Sequence, residues 1–265
     1  MDLNLRGTGA VITGGSSGIG FAIADALARE GVRVAIASRS ADRVRAAADR
    51  LATRHGREIV PLIVNTGDDT TVRKMAADAF GALGRIDVLV NCAALPMSHS
   101  SRAGLTDLAD EVVSEYLNVK FMGYLRTARA VVPYLSKQTS SRIINVNGLN
   151  VRQCGSIIGS ARNSAVSALT KNLADELGRL GIGVVAINPG ITRTEHTDAV
   201  VARTAAERGL DLAQAERALA NNGLGRLVTA EEIATVATFL ASPCSSALNG
   251  DAIPAGGGIL GSIHY

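Results

Sequence analysis

Tryptophan is absent from this 265-residue sequence, and aromatic residues make up only 3% of it. A groove for single-stranded nucleic acid stacks bases on aromatic rings along a one-sided basic surface. Neither ingredient is present. Lysine and arginine number 27 against 24 aspartates and glutamates, and the charges intermingle: between Arg39 and Arg54, arginines alternate with Asp42 and Asp49 as on a solvated helix face. Nucleic acid is excluded as a partner class on these grounds. The three cysteines, Cys92, Cys154 and Cys244, form no Cys-x-x-Cys pair and no metal-ligand spacing. No metal site is expected, and the thiols read as small buried side chains in a reducing compartment. No run of eighteen apolar residues occurs, so no membrane span is expected. The opening segment, with Asp2 and Arg6, lacks the layout of a signal peptide. The expectation is a cytoplasmic protein that acts on a small molecule.

Hydrophobic residues supply 47% of the chain, enough for a large core. They arrive in bursts that alternate with amphipathic stretches. Strands are predicted at Gly9–Thr13, Arg33–Ala37, Glu58–Val64, Ile86–Asn91, Ser141–Val146, Gly183–Asn188 and, as a last edge strand, Ala252–Pro254. Helices are predicted at Ile19–Glu30, Ala41–Arg54, Thr70–Leu83, one long or two consecutive helices over Asp107–Tyr134, then Ser160–Arg179 and Thr229–Leu240. The last opens with a capping-box pair, Thr229 and Glu232. The polar, alanine-rich stretch Glu195–Asn221 reads as a helical insertion over a site. This β-α alternation specifies a single doubly wound α/β domain of Rossmann type over residues 1–265, with a mostly parallel, seven-stranded sheet between helices.

The turn after the first strand carries Thr13-Gly14-Gly15-Ser16-Ser17-Gly18-Ile19-Gly20. Gly14 permits the tight turn, Gly18 leaves room for a pyrophosphate against the backbone, and Gly20 allows close helix packing. The free amides of the first helical turn then face the phosphate oxygens. Its place between a buried strand and a helix is what makes the glycine cluster informative. No Lys-Ser/Thr pair follows, so it is not a nucleoside-triphosphate loop. After the second strand come Ser38 and Arg39. An acidic residue there would take both ribose hydroxyls and repel a 2′-phosphate, whereas Arg39 can pair with that phosphate. NADP(H) is favoured over NAD(H).

With these pieces in hand the chain resembles the short-chain dehydrogenase/reductase family over essentially its full length. The resemblance rests on TGGSSGIG at 13–20, NCAA at 91–94, Asn118, NPG at 188–190 with Thr194, and GG at 256–257. It implies cofactor contacts from Gly14, Ser16, Ser17, Gly18, Ile19, Gly20, Arg39, Asn91 and Ala93. Pro189, Gly190, Ile191 and Thr194 are implied at the nicotinamide carboxamide and its neighbouring phosphate. It also implies a homo-oligomer, a tetramer or dimer built through helix faces. The family's chemistry uses a serine that orients the substrate oxygen and a tyrosine that gives a proton to the carbonyl. A lysine four residues later holds the ribose and lowers the tyrosine pKa, and an asparagine, here Asn118, holds a water beside it.

Anchoring on Leu169-Thr170 sets Gly159 at the tyrosine position and Asn163 at the lysine position, with Asn147-Gly148 in place of the serine pair. No tyrosine occurs between Tyr134 and Tyr265, and no lysine between Lys137 and Lys171. The expectation is a divergent member without the Tyr-x-x-x-Lys pair and the serine, in which Asn163 still bonds a ribose hydroxyl. His99, after the fourth strand, is the substitute acid that the sequence offers, and His196 is a second. Ser156 and Ser160 read as a loop hydroxyl and a helix-start cap. Three functions stay open. One is an oxidoreductase moving hydride between NADP(H) and a carbonyl or alcohol by an altered proton transfer. Another is a silent dinucleotide-binding sensor or partner subunit, and the third is a non-redox lyase or isomerase on the same fold.

Overall fold

The computed structural model describes residues 1–98, 100, 103–135, 138 and 140–261. Seven strands form one sheet in the order β3-β2-β1-β4-β5-β6-β9, and every neighbouring pair is parallel. They are β1 (Gly9–Thr13), β2 (Arg33–Ser38), β3 (Ile59–Ile63), β4 (Val88–Asn91), β5 (Ser141–Val146), β6 (Ile182–Pro189) and β9 (Ala252–Ala255). A two-residue pairing, β7 (Thr192–Arg193) with β8 (Val228–Thr229), lies apart. Strands β1, β4 and β5 are buried at every residue. That is why β1 and β4 read as mainly apolar runs and not as an alternation.

Side-chain alternation divides the core into two layers. From β1, Ala10 and Ile12 join one layer, with Leu27 of α1 (Gly18–Arg29), Leu51 of α2 (Ala41–His55) and Leu240 of α9 (Ala230–Ala241). Val11 points the other way, to Met75 of α3 (Asp69–Leu83), Val131 of α5 (Gly123–Leu135) and Leu177 of α6 (Ile157–Leu177). Each such side chain taken fully out of water contributes roughly 1.5–3 kcal/mol.

The helix ends follow their sequences. Ser40 accepts the Arg43 amide at the start of α2, and Gly56 closes it at φ 61°. The Thr229–Glu232 capping box forms as expected at the start of α9. Ser156, not Ser160, caps α6, which begins three residues earlier than predicted. The stretch 195–221 holds two helices, α7 (Thr197–Arg208) and α8 (Leu212–Ala220), split by Gly209 at φ 63°. The Asp107–Tyr134 region is α4 (Asp110–Leu117) running into α5 through a five-residue π turn, Asn118–Met122.

The expectation of buried thiols is corrected: Cys154, on a surface loop, and Cys244, in a short 3₁₀ turn, are exposed, and Cys92 is half-buried. No helix of the described residues is long and apolar enough to cross a membrane.

Candidate functional site

The order of winding reverses between β1 and β4, and crevices in such sheets open at the carboxyl ends of the strands flanking that point. A cleft of about 370 Å³ lies there, lined by the β1–α1 turn, the end of β2 and the segment after β4. Gly14 has φ 71°, and a Cβ on it would stand 2.9 Å from the Ala93 nitrogen. A Cβ on Gly20 would come 2.3 Å from the Gly14 carbonyl oxygen. Gly18 is different: at φ 54° it faces open space, with only Thr194 near, at 3.5 Å. Two glycines thus serve close packing and the third leaves room for a ligand. Ser17, at the start of α1, makes no capping bond with its side chain. Of the first-turn amides, Gly18 N–H is held by the carboxylate of Glu195 and Gly20 N–H is turned toward Cys92, so an anion bound at this terminus displaces Glu195.

Arg39 lines the cleft as expected, and so does Arg43, which sequence reasoning passed over. Among the described residues neither forms an ion pair. Arg43 was legible in principle, since it stands in the first turn of the helix that follows Arg39. The cleft has the glycine cradle, a helix terminus already holding a carboxylate, and the unpaired cations that a dinucleotide with an extra phosphate requires, so the residues fit such a cofactor.

The second half of the site lies between β5, α6 and the π turn. Lys120 is 3% exposed, and its Nζ donates to the Asn147 carbonyl at 3.0 Å and to Asn163 Oδ1 at 2.9 Å. Burial pulls its pKa down to about 7; Arg162 pushes the same way, and Cys92 opposes. Cys92, in turn, is pushed up to about 11 by burial. Asn147 Nδ2 donates to the Asn163 carbonyl at 3.0 Å. Arg162 sends Nη1 to the Leu95 carbonyl and lies over the Tyr116 ring, its carbon 5.3 Å from the centroid. Tyr116 OH donates to the Pro96 carbonyl at 2.6 Å, on the loop that walls the cleft. Tyr124 OH donates to the Val146 carbonyl, and burial raises its pKa well above the ordinary tyrosine value.

These contacts overturn the expectation of a missing Tyr-x-x-x-Lys pair. Tyr116-Leu117-Asn118-Val119-Lys120 is such a pair, on the helix that carries Asn118. The expectation sought the pair after β5 and read Tyr116 as a packing residue, whereas packing sets the end of α4 against the start of α6. A signal was present: Tyr116, Lys120, Tyr124, Thr127 and Val131 form one buried stripe at helical spacing, interrupted by a lysine. The π turn, a feature frequent at functional sites, also falls here.

The other expected residues divide. Gly14, Ser16, Ser17, Gly18, Ile19, Gly20, Arg39, Ala93 and Thr194 line one cleft together. Asn91 lies under its floor, its carboxamide taken up by Asn145 and Thr127. Gly190 and Ile191 line a separate cavity of about 270 Å³ with Leu149, Gln153 and Arg208. The Asn118 carboxamide crowds Gly67 and so faces the β3–α3 loop. Gly159 is buried in the first turn of α6, with Ser156 and Asn150 around it. His99 lies outside the described residues. His196 lines the cleft, exposed, with Nε2 3.7 Å from Glu195.

Comparison with known proteins adds to this geometry. The sequence profile of the family described as short chain dehydrogenase matches residues 8–205. The short-chain reductase protein NovJ of Streptomyces niveus is 34% identical over 254 residues, covering 94% of this chain and 92% of its own. L-sorbose reductase of Gluconobacter frateurii, solved with NADPH and L-sorbose, superposes with a TM-score of 0.90 at 28% identity, over 99% of this chain and 100% of its own. A short-chain oxidoreductase of Pseudomonas aeruginosa PAO1, containing an atypical catalytic center, superposes with a TM-score of 0.87 at 32% identity, over 97% and 98%.

Proposed function

This chain belongs to the short-chain dehydrogenase family, and we propose on that basis that it moves hydride between NADP(H) and the carbonyl or alcohol carbon of a small molecule. It is an NAD(P)-dependent oxidoreductase. The observation that carries the NADP(H) reading is the cleft at the β1/β4 switch point, where the first turn of α1 and the unpaired Arg39 and Arg43 line one space. The sorbose reductase that shares this fold binds NADPH, which supports the same choice. When bound, the nicotinamide ring supplies or accepts the hydride.

The chain's own residues do the rest. Gly18 leaves the phosphates room at the start of α1, and Arg39, helped by Arg43, neutralises a 2′-phosphate. Asn163 bonds the ribose, Pro189 to Ile191 face the carboxamide, and Thr194 holds the neighbouring phosphate. Tyr116 supplies the proton to the substrate oxygen: its hydroxyl reaches the cleft wall at Pro96, and Arg162 lies over its ring. Segment 195–222 covers the substrate, supported by the cavity of about 270 Å³ shared by Gly190, Ile191, Arg208 and Asn221.

The same reading places the protein in the cytoplasm, consistent with three unpaired thiols. It also makes the protein a homo-oligomer, dimer or tetramer. The free edge of β9 and the exposed Phe239 on α9 support assembly.

The test is a fluorescence titration with NADPH and NADH, followed by a screen of carbonyl compounds with bound NADPH. NADPH binding with oxidation of the cofactor by at least one carbonyl is the expected result. Folded protein that binds neither cofactor would sink the proposal, and binding without turnover would turn it into a silent cofactor sensor.

A further inference from the structure

Lys120 is a lysine without a carboxylate. Among the described residues no acidic side chain pairs with it, although it is 3% exposed. Burying an ammonium without a counter-charge costs several kcal/mol. An apolar residue between Tyr116 and Tyr124 would pack there more favourably, so the amine has to be accounted for by what it holds.

It holds a carboxamide. Asn163 Oδ1 accepts from Lys120 at 2.9 Å, and this bond decides which way the amide is turned. Its Nδ2 then lies against Gly148, 2.9 Å from where a Cβ there would sit, so the absence of a side chain at 148 lets the amide group stand. The backbone of the same residue is gripped by Asn147, whose Nδ2 donates to the Asn163 carbonyl. Lys120 also bonds the Asn147 carbonyl, which closes a ring of three residues from the π turn, the end of β5 and α6. The titratable groups that act on the amine are Arg162 from α6 and Cys92, just past β4, and neither is a carboxylate.

We propose that Lys120 is a positioning residue for the oxidoreductase reaction: it fixes the Asn163 carboxamide so that its NH₂ donates to the cofactor ribose, and it delivers positive charge to that end of the cleft through Asn163. The ribose ligand is Asn163, and the charge behind it comes from a different helix. This rests on the reading above that Asn163 faces the ribose.

The test compares NADPH affinity and steady-state kinetics of wild type with Lys120→Met, Asn163→Ala, their double variant, and the swap Lys120→Met with Asn163→Lys. Folding is checked by circular dichroism, and Lys120→Gln replaces the methionine variant if that one does not fold. Each single variant is expected to lose about tenfold or more in kcat/KM, and the double to lose little beyond the worse single, because residues acting as a unit are non-additive. The swap returns the amine from α6 and is expected to regain much of the loss. The wild-type rate is expected to show an inflection near neutral pH that Lys120→Met lacks; a merely structural lysine would leave that profile in place. Additive losses, a folded swap with no rescue, or a retained inflection would overturn the proposal while leaving the cofactor reading intact. Wild-type protein that fails to bind NADPH would overturn that reading and this proposal together.

Discussion

The carboxylate of Glu195 accepts the Gly18 backbone N–H through both oxygens, at 3.0 and 3.2 Å, across 177 residues of chain. It occupies the helix terminus that the cofactor phosphates need. A negative charge near such a terminus contributes about 0.3–1 kcal/mol. Glu195→Gln is therefore expected to tighten NADPH binding by about two- to fivefold. Titrations at low and high salt check this, since the gain shrinks as salt screens the carboxylate. An unchanged Kd at low salt would show that Glu195 swings aside without cost.

Arg39 is the second point of leverage. Bonds to charged groups contribute about 1.5–3 kcal/mol, so Arg39→Ala is expected to weaken NADPH by about ten- to a hundredfold. NADH, which lacks the 2′-phosphate, keeps its affinity. Arg43→Ala shows the same selectivity with a smaller effect. Equal losses for both cofactors would remove the phosphate role.

Tyr116→Phe keeps the ring under Arg162 and removes only the hydroxyl. A general acid is worth roughly 10²–10⁴-fold, so kcat falls by about that factor while NADPH affinity holds. A variant with wild-type kcat would take the proton away from Tyr116.

Lys120 ties stability to pH. Unfolded lysine ionises near 10.4, whereas burial brings the native group to about 7. Between those values the unfolded chain binds one more proton, so this contribution makes stability rise with pH. Urea melts from pH 7 to 10 should show wild type gaining on Lys120→Met across that window, and a constant difference below it. A difference that stays flat from pH 7 to 10 would place the native pKa elsewhere.

Gly148→Ala sets a methyl group 2.9 Å from Asn163 Nδ2. Overpacking of this kind costs about 1–3 kcal/mol. Denaturant melts are expected to show the loss, with reduced NADPH affinity because Asn163 is displaced. A neutral substitution would mean that Asn163 has room to yield.

The fold was largely legible because its signals are local. Apolar bursts marked strands buried on both faces, and glycines placed between a strand and a helix marked the turn. Arg39 was found in the same way, one residue past a strand end. The substrate-proximal half was misread where distance in the chain mattered. Asn91 sits in a strand end as expected, but its carboxamide is spent on Asn145 and Thr127, and partners from β5 and α5 cannot be read from β4 alone. Lys120 was passed over because attention went to the residues after β5, although the buried stripe through Tyr116 and Tyr124 contained it.

By itself the sequence determined the parallel α/β architecture and the glycine turn between β1 and α1, because each is signalled by residue types within a few positions of one another. Only the tertiary structure decided which groups meet between β5, α6 and the π turn. Lys120 and Asn163 are 43 residues apart, on elements that touch because the core between α5, α6 and the sheet brings them together. A hydrogen bond of 2.9 Å depends on that packing, and no spacing along the chain encodes it.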